Sequence, residues 1–242
     1  MGKKKKLQRF AETQSFPHVV QVPYAQAMEG FPMRGKWAPE FFGNDQALVL
    51  ELGCGKGEYT VGLARRNPGR NYLGVDIKGA RMWRGARTSL DEGLKNVGFL
   101  RTRIELIGLF FGPEEVQEIW ITFPDPQLKD SRQKKRLTHP LFLNRYRQFL
   151  APDHQIHLKT DSAPLYHYTL ALARHNGYNV HHHTEDLYAA PPEEEASMIQ
   201  TFYEARWLQE GLPIHYLRFT MDLHRDALPL PGEPTSGISD AE

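Results

Sequence analysis

The chain has 242 residues, of which 40% are hydrophobic and 24% charged, and 30 Lys and Arg face 29 Asp and Glu. This length favours one large α/β domain or two small ones and can bury a core without covalent links. A single cysteine excludes an internal disulfide framework and a cysteine-based zinc cluster.

The start of the chain, MGKKKKLQRF, is basic, but no apolar segment follows it. A secretory signal is therefore not expected. The chain has no run of 18 apolar residues, so no membrane-spanning helix is expected either. A cytoplasmic protein is the default expectation.

Charge is distributed unevenly along the chain. Residues 1–150 carry 25 Lys and Arg against 15 Asp and Glu, whereas residues 151–242 carry 5 against 14. A partner responds to the local potential rather than to the net charge of +1. The basic first part therefore keeps a nucleic acid among the candidate partners.

Strands and helices alternate through the middle of the chain. Residues 1–45 contain four prolines and are expected to form an irregular basic extension, mobile over residues 1–15. Residues 226–242 are expected to form a disordered tail. The predicted strands are Ala47–Leu52, Asn71–Ile77, Val97–Leu100, Glu118–Phe123, Gln155–Thr160, Tyr178–His183 and Ile214–Met221, and the predicted helices are Glu58–Arg66, Gly79–Gly93, Pro140–Leu150 and Ala163–His175.

This alternation predicts an α/β fold of the Rossmann-like type over residues 46–225. The expected sheet has seven strands, is mostly parallel and carries helices on both faces. Such sheets bind ligands beyond the carboxyl ends of their strands. Polar residues that directly follow strands are therefore the candidate site residues.

A glycine-rich loop, ELGCGKG at residues 51–57, joins the first predicted strand to a helix. Alternating glycines let the backbone turn tightly and approach a ligand closely. The G-x-G-x-G spacing differs from that of dinucleotide enzymes, and no Ser or Thr follows Lys56 as in a P-loop. Asp76 ends the next strand, 19 residues after Gly57, where a carboxylate can accept both hydroxyls of a ribose. Together these features predict a nucleoside-type cofactor.

The segment after the strand Glu118–Phe123 combines a restrained carboxylate with a dense group of cations. Asp125 lies between two prolines, which limit its backbone freedom. Lys129–Arg136 holds five cations and one anion, a density that suits phosphate contacts. A solvated charged loop is the alternative interpretation of that segment.

Four motifs in order resemble the tRNA (guanine-N7-)-methyltransferase family over roughly residues 45–220. The E-L-G-x-G-x-G loop resembles the first motif of S-adenosylmethionine methyltransferases. The family's F-x-D-P-x-x-K, followed by a basic stretch, matches Phe123–Thr138. Its T-D matches Thr160-Asp161, and its T-x-[FY]-E matches Thr201-Phe202-Tyr203-Glu204.

The resemblance implies transfer of a methyl group from S-adenosylmethionine to N7 of a guanine in tRNA, at conventional variable-loop position 46. It also assigns roles to individual residues. Cofactor contacts are implied for Glu51, Gly53, Gly55, Asp76, Arg103 and Asp125, and contacts to the RNA substrate for Lys129, Asp161, Thr201, Phe202, Tyr203 and Glu204. Further phosphate contacts are expected from Lys3–Lys6, Lys129–Arg136 and a stripe on one helix at Lys78, Arg81, Arg84 and Arg87.

Asp125 is the candidate catalytic residue. Guanine N7 carries a lone pair and no proton at neutral pH, so methyl transfer to it requires no general base. The Asp125 carboxylate would accept the N1–H and N2–H of guanine, donors that adenine lacks. It would also offset the positive charge that develops on the ring.

Two positions depart from the family pattern. Gln127 and Leu128 stand where the family has an aromatic residue and usually a proline. Arg103 stands where many members have an acid near the adenine, and an arginine side chain cannot accept a hydrogen bond from the adenine amine. Backbone atoms around Arg103 and Ile104 could instead accept the hydrogen bond from the adenine amine.

Other readings of the chain compete with this one. A methyltransferase acting on an exocyclic amine favours an N-P-P-[YF] or D-P-P-Y turn, whereas this chain has F-P-D-P. A non-catalytic RNA-binding protein with a relic methyltransferase fold is the third hypothesis.

Cys54 is expected to fill a tight turn, which disfavours cytosine C5 methylation. No metal is expected at His181–His183, because adjacent strand residues point to opposite faces. The sequence leaves open whether the protein is a monomer or a homodimer.

Overall fold

The computed structural model describes residues 3–189 and 195–233. Its helices and strands are numbered here in chain order. The helices are Lys3–Ser15 (α1), Tyr24–Glu29 (α2), Glu58–Arg66 (α3), Gly79–Asp91 (α4), Pro140–Tyr146 (α5), Ala163–His175 (α6) and Phe202–Gln209 (α7), and the strands are Val19–Gln21 (β1), Leu48–Leu52 (β2), Asn71–Asp76 (β3), Val97–Arg101 (β4), Val116–Thr122 (β5), Leu150–Thr160 (β6), Asn179–Thr184 (β7) and His215–Thr220 (β8).

The strands form one sheet in the order β1-β4-β3-β2-β5-β6-β8-β7. Neighbours from β1 to β6 are parallel, and β8 runs antiparallel between β6 and β7. The predicted α/β class is confirmed, with eight strands instead of seven. The strand order reverses between β2 and β5, and ligands of open α/β sheets bind at such a switch point.

Both faces of the central strands are buried, because consecutive strand residues point into two different apolar layers. In β5, Ile119 and Ile121 pack on the layer that contains α5 and α6, whereas Trp120 packs on the layer that contains α3 and α4. This burial explains the apolar runs Leu48–Leu50 in β2 and Ile119–Ile121 in β5. It also confirms the predicted placement of helices on both faces.

The first 45 residues are more ordered than expected. Residues 3–15 form α1, which packs on α4, and Val19–Gln21 adds a parallel edge strand beside β4. Trp83 of α4 donates its indole N–H to Glu12 at 2.6 Å, and the Arg9 guanidinium lies 4.3 Å from the centre of the Trp83 ring. Residues 3–15 therefore form a helix instead of the expected irregular segment, and contacts with a distant helix hold it in place.

The expected disordered tail is also ordered at its start. The Ala227 N–H donates to Asn144 at 2.7 Å, and the Leu228 N–H donates to Asn176 at 2.7 Å. Residues 234–242 lie outside the described residues. Among the helices of residues 3–189 and 195–233, none has the length and apolar character needed to cross a membrane.

The glycine loop packs so closely on α4 that one helix position requires glycine. A Cβ on Gly85 would lie 2.8 Å from the Lys56 carbonyl oxygen and 2.9 Å from the Gly57 Cα. Both atoms belong to backbone, so neither can move aside cheaply. The loop and α4 therefore hold each other in place.

We expect Gly85→Ala to destabilise the protein. Overpacking costs about 1–3 kcal/mol, and the better helix propensity of alanine offsets up to about 1 kcal/mol of that cost. Gly69→Ala is the matched control, since no heavy atom lies within 4 Å of its added Cβ. Urea denaturation measures both variants, and equal stability of the two would contradict this account.

Candidate active site

The glycine loop turns sharply at the carboxyl end of β2. Gly53, Gly55 and Gly57 have φ values of 75°, 56° and 71°, in the left-handed region that favours glycine. The N–H groups of Gly53 and Cys54 donate to the Val75 carbonyl at 2.8 and 3.1 Å, which ties the loop to β3. The loop backbone is therefore held open beside the ends of two central strands.

Glu51, at the end of β2, is a buried carboxylate with partners on two other elements. Its Oε2 accepts from the Thr60 N–H at 2.8 Å and from the Thr60 hydroxyl, and its Oε1 accepts from the Thr122 hydroxyl at 2.7 Å. Burial raises the pKa of Glu51 to about 7, although these hydrogen bonds oppose the rise. The side chain joins β2, α3 and β5 at the switch point.

Asp76, at the end of β3, faces the same loop. Its Oδ2 accepts from the Gly55 N–H at 2.9 Å, and its Oδ1 accepts from the Lys78 N–H at 2.7 Å. Each carboxylate oxygen has a further lone pair that can accept a hydroxyl. The geometry is that of a carboxylate oriented by backbone donors beside a ligand loop.

A cavity of about 120 Å³ lies over the glycine loop. It brings together four of the cofactor and substrate residues that the resemblance implies with Thr122, Phe123 and part of α3 and α4. Those four are Glu51, Gly53, Gly55 and Thr201. Cys54 is buried, and burial raises the pKa of its thiol well above the usual range, so it lacks thiolate character.

Asp125 is exposed, on a loop with two strained residues. Phe123 and Gln127, on either side of it, have φ values of 47° and 48°, which non-glycine residues rarely adopt. The Gln127 N–H donates to Asp125 Oδ1 at 3.1 Å. Strain of this kind persists only where surrounding contacts enforce it, and it is typical of functional sites.

Arg136 supplies such contacts. Its guanidinium donates to the carbonyls of Pro126 and Gln127 at 3.3 Å and lies 4.3 Å from the centre of the Tyr168 ring. The Arg136 side chain is buried, so it supports, from the protein interior, the loop that holds Asp125. It is not placed to bind phosphate. Lys129, Arg132 and Lys135 of the same segment are exposed.

Glu204 is fully buried and paired with Lys159 of β6 at 2.7 Å. It also completes a capping box with Thr201 at the start of α7 and accepts from the Tyr188 hydroxyl at 2.7 Å. A direct contact between Glu204 and RNA has no support in this geometry. The side chains of Phe202 and Tyr203 lie outside the described residues.

Lys159 fixes the segment that leads into α7. Its ammonium donates to the carbonyls of Ala196 and Ile199, the second at 3.0 Å. Burial lowers the pKa of Lys159 to about 8, although the Glu204 carboxylate opposes this shift, so the ammonium is mostly protonated at neutral pH. This pair places Thr201 beside the cavity.

The remaining predicted residues are spread over the surface. Asp161 follows β6 and is half-buried, and burial raises its pKa. The Arg103 side chain is exposed, its Nε lies 3.8 Å from Glu105 Oε2, and Arg103 is not among the residues that line the cavity. On α4, Arg81 and Arg84 face a groove toward α3, whereas Arg87 pairs with Asp91 at 3.0 Å.

The histidines of β7 alternate in exposure, as expected for opposite faces of a strand. His181 bonds Thr220 at 2.6 Å, His183 bonds Tyr166 at 3.2 Å, and the His182 ring lies 5.6 Å from Tyr216. Among the side chains that the structure describes, no group of three or more His, Cys, Asp or Glu is arranged to hold a metal ion.

Comparison with known proteins identifies the family. The family model described as "Putative methyltransferase" matches residues 45–217. A tRNA (guanine-N(7)-)-methyltransferase of Porphyromonas gingivalis is 55% identical over 210 residues, or 85% of each chain. One of Christiangramia forsetii is 52% identical over 221 residues, or 90% of this chain and 99% of the relative. The chain belongs to the tRNA (guanine-N7-)-methyltransferase family.

Solved structures agree with this family at the level of fold. An antibiotic-related methyltransferase superposes with a TM-score of 0.56 at 15% identity, covering 84% of this chain and 96% of that chain. The 16S rRNA methyltransferase KamB superposes with a TM-score of 0.54 at 17% identity, covering 73% and 88%. At such identity these structures support the methyltransferase fold alone.

The predictions from the sequence assign no role to the structural residues Lys159 and Thr122, and they expect phosphate contacts from Arg136, which the structure places against backbone carbonyls. A lysine inside the apolar strand QIHLKT was a signal that a buried partner exists. That partner, Glu204, is 45 positions away, and nothing local identifies it. Thr122 and Arg136 give no comparable signal.

We expect Lys159→Met to cost about 3–5 kcal/mol of unfolding free energy, because it leaves the Glu204 carboxylate buried without its cation. The double variant Lys159→Met/Glu204→Gln removes that charge and is expected to recover part of the loss. Chemical denaturation of the wild type, both single variants and the double variant forms the cycle. Additive losses would show that the two side chains do not interact.

Proposed function

We propose that this protein transfers a methyl group from S-adenosylmethionine to N7 of a guanine in tRNA, at variable-loop position 46. One observation carries the proposal. The glycine loop and Glu51 lie beside the strained loop that holds Asp125, at the point where the strand order of the sheet reverses. A tRNA substrate agrees with a cytoplasmic location.

The residues at the switch point fit this cofactor. Gly53 and Gly55 line the cavity without side chains, and the Asp76 carboxylate, which accepts the Gly55 N–H, keeps lone pairs that can accept ribose hydroxyls. Glu51 offers a carboxylate toward the ammonium of the cofactor's methionine portion. When bound, S-adenosylmethionine supplies a methyl group on a sulfonium, which is already electrophilic.

The chain's own contribution to the chemistry is positional. N7 of guanine is nucleophilic without losing a proton, so the reaction calls for orientation rather than a general base. Holding the two reactants in line can lower the barrier by up to about 7–11 kcal/mol. The strained Phe123–Gln127 turn, supported by Arg136, is the rigid element that would hold the base.

Asp125 selects guanine in this proposal. Its exposed carboxylate keeps acceptor capacity beyond the single bond from the Gln127 N–H. The N1–H and N2–H of guanine can donate to it, whereas adenine has no donor at either place. The same negative charge stabilises the cationic ring that methylation at N7 produces.

The direct test incubates the protein with unmodified tRNA and labelled S-adenosylmethionine, digests the RNA and identifies the methylated nucleoside. The expected product is 7-methylguanosine at the variable loop. Recovery of only 1-methylguanosine or N2-methylguanosine would overturn the assigned reaction. Mapping the label to another guanine would overturn the assigned position.

We expect Asp125→Ala to reduce methyl transfer at least about a hundredfold, the scale seen when one preorganised electrostatic partner is removed. Stability should change by no more than about 0.5 kcal/mol, since the side chain is exposed. Asp130→Ala removes a nearby exposed carboxylate and serves as the control. Near-normal transfer by Asp125→Ala would remove this residue from the mechanism.

Cofactor affinity should depend on pH through Glu51. Its pKa of about 7 means that the carboxylate is mostly ionised at pH 8 and mostly protonated at pH 6. Since the ionised form attracts the cofactor's ammonium, affinity should fall about tenfold from pH 8 to pH 6. Calorimetric titration of the wild type and Glu51→Gln tests this, and identical pH profiles would contradict it.

A further inference from the structure

Two grooves join along α3, on the face of the sheet that also carries α4. The first, of about 880 Å³, lies between α3 and α4. The second, of about 830 Å³, lies against the middle of β5, the second half of β6 and β8. Arg66 and Met198 line both grooves. We call this continuous surface the α3 track.

Cations dominate the α3 track. Six line the first groove and three line the second, with Arg66 common to both, whereas each groove has one acidic residue, Glu58 or Glu118. A surface of this composition attracts a polyanion. The cations are Arg9, Lys56, Arg65, Arg66, Arg70, Arg81, Arg84 and Arg218.

Local contacts orient several of these cations, and Lys56 is paired with Glu58 at 3.6 Å. Arg66 Nη2 lies 2.6 Å from the Met198 sulfur, which places its charge where the two grooves meet. Arg70 pairs with Glu118 at the edge of the second groove, and Arg65 pairs with Glu92 outside the first. The cations therefore have defined positions, as a surface that binds a shaped partner requires.

The α3 track begins at the cofactor cavity. Lys56, Glu58 and Arg81 line both that cavity and the first groove. From there the track follows α3, whose nine residues span about 13 Å. That length exceeds the spacing of successive phosphates on one nucleic-acid strand. A polyanion whose reacting base enters the cavity would pass directly onto the track.

We propose that the α3 track binds the sugar-phosphate backbone of the tRNA beside the methylated guanine. This inference rests on the proposed function. The track includes Arg81 and Arg84 of the α4 stripe and extends beyond it along α3 to Arg66, Arg70 and Arg218. Along the track, Arg218 from the acidic second part of the chain lines the same groove as Arg66 and Arg70 from the basic first part. RNA is favoured over an acidic polypeptide because the track starts at the proposed reaction centre.

The experiment compares wild type with Arg66→Gln, Arg84→Gln and the double variant. Equilibrium binding of unmodified tRNA is measured from low to moderate salt, and binding of S-adenosylmethionine is measured as a check on the fold. Each lost phosphate contact should weaken tRNA binding about five- to eightfold near 0.1 M salt and lower the salt slope by about 0.7–0.9. Cofactor affinity should stay at the wild-type value.

Arg174→Gln is the matched control, because Arg174 is exposed at the end of α6 in the opposite layer. Its tRNA affinity should equal that of the wild type. The track is overturned if Arg66→Gln and Arg84→Gln bind tRNA as the wild type does. It is overturned as well if Arg174→Gln weakens tRNA binding as much as these two variants do. Binding of polyglutamate, an acidic polypeptide, is measured with the same variants. The track is also overturned if Arg66→Gln and Arg84→Gln weaken the binding of polyglutamate but not that of tRNA. Because binding is measured apart from methyl transfer, an active enzyme with unaffected variants refutes only the track, and a binding protein without transfer refutes only the reaction.

Discussion

The buried Glu51 carboxylate is the constraint around which the site is arranged. A charge-bearing group at the centre of an apolar sheet must be satisfied, and Thr60 and Thr122 satisfy it from α3 and β5. Those bonds draw the glycine loop, the first turn of α3 and the end of β5 to one point. The residual cost of burial appears as a pKa near 7, which leaves the group responsive to a cationic ligand.

Two other buried charges support the loops around that point. Lys159 binds backbone carbonyls and Glu204, and so holds the segment before α7. Arg136 binds two carbonyls of the strained turn that carries Asp125. In both cases the charged side chain does not face the proposed substrate. Its contribution is to keep a neighbouring residue, Thr201 or Asp125, where a ligand can meet it.

The fold brings together cations that are far apart in the sequence. Cations of α1, α3, α4 and β8 are far apart in sequence, yet they line one continuous surface that ends at the cofactor cavity. Conversely, adjacent cations can differ in role: Lys135 is exposed, whereas its neighbour Arg136 is buried. A net charge near zero thus hides a polarised molecule.

The sequence by itself determined the α/β class, the bounds of α3 and α6, and the loop and carboxylates at the strand ends, because apolar periodicity and glycine spacing are local signals. Only the tertiary structure decided the order of residues 3–15, the pairing of Lys159 with Glu204 and the burial of Arg136. Each of these depends on a partner far away in the chain, on Trp83, Glu204 or Tyr168. Long-range contacts fix such features, and no local pattern of residue types specifies which distant side chain will supply the contact.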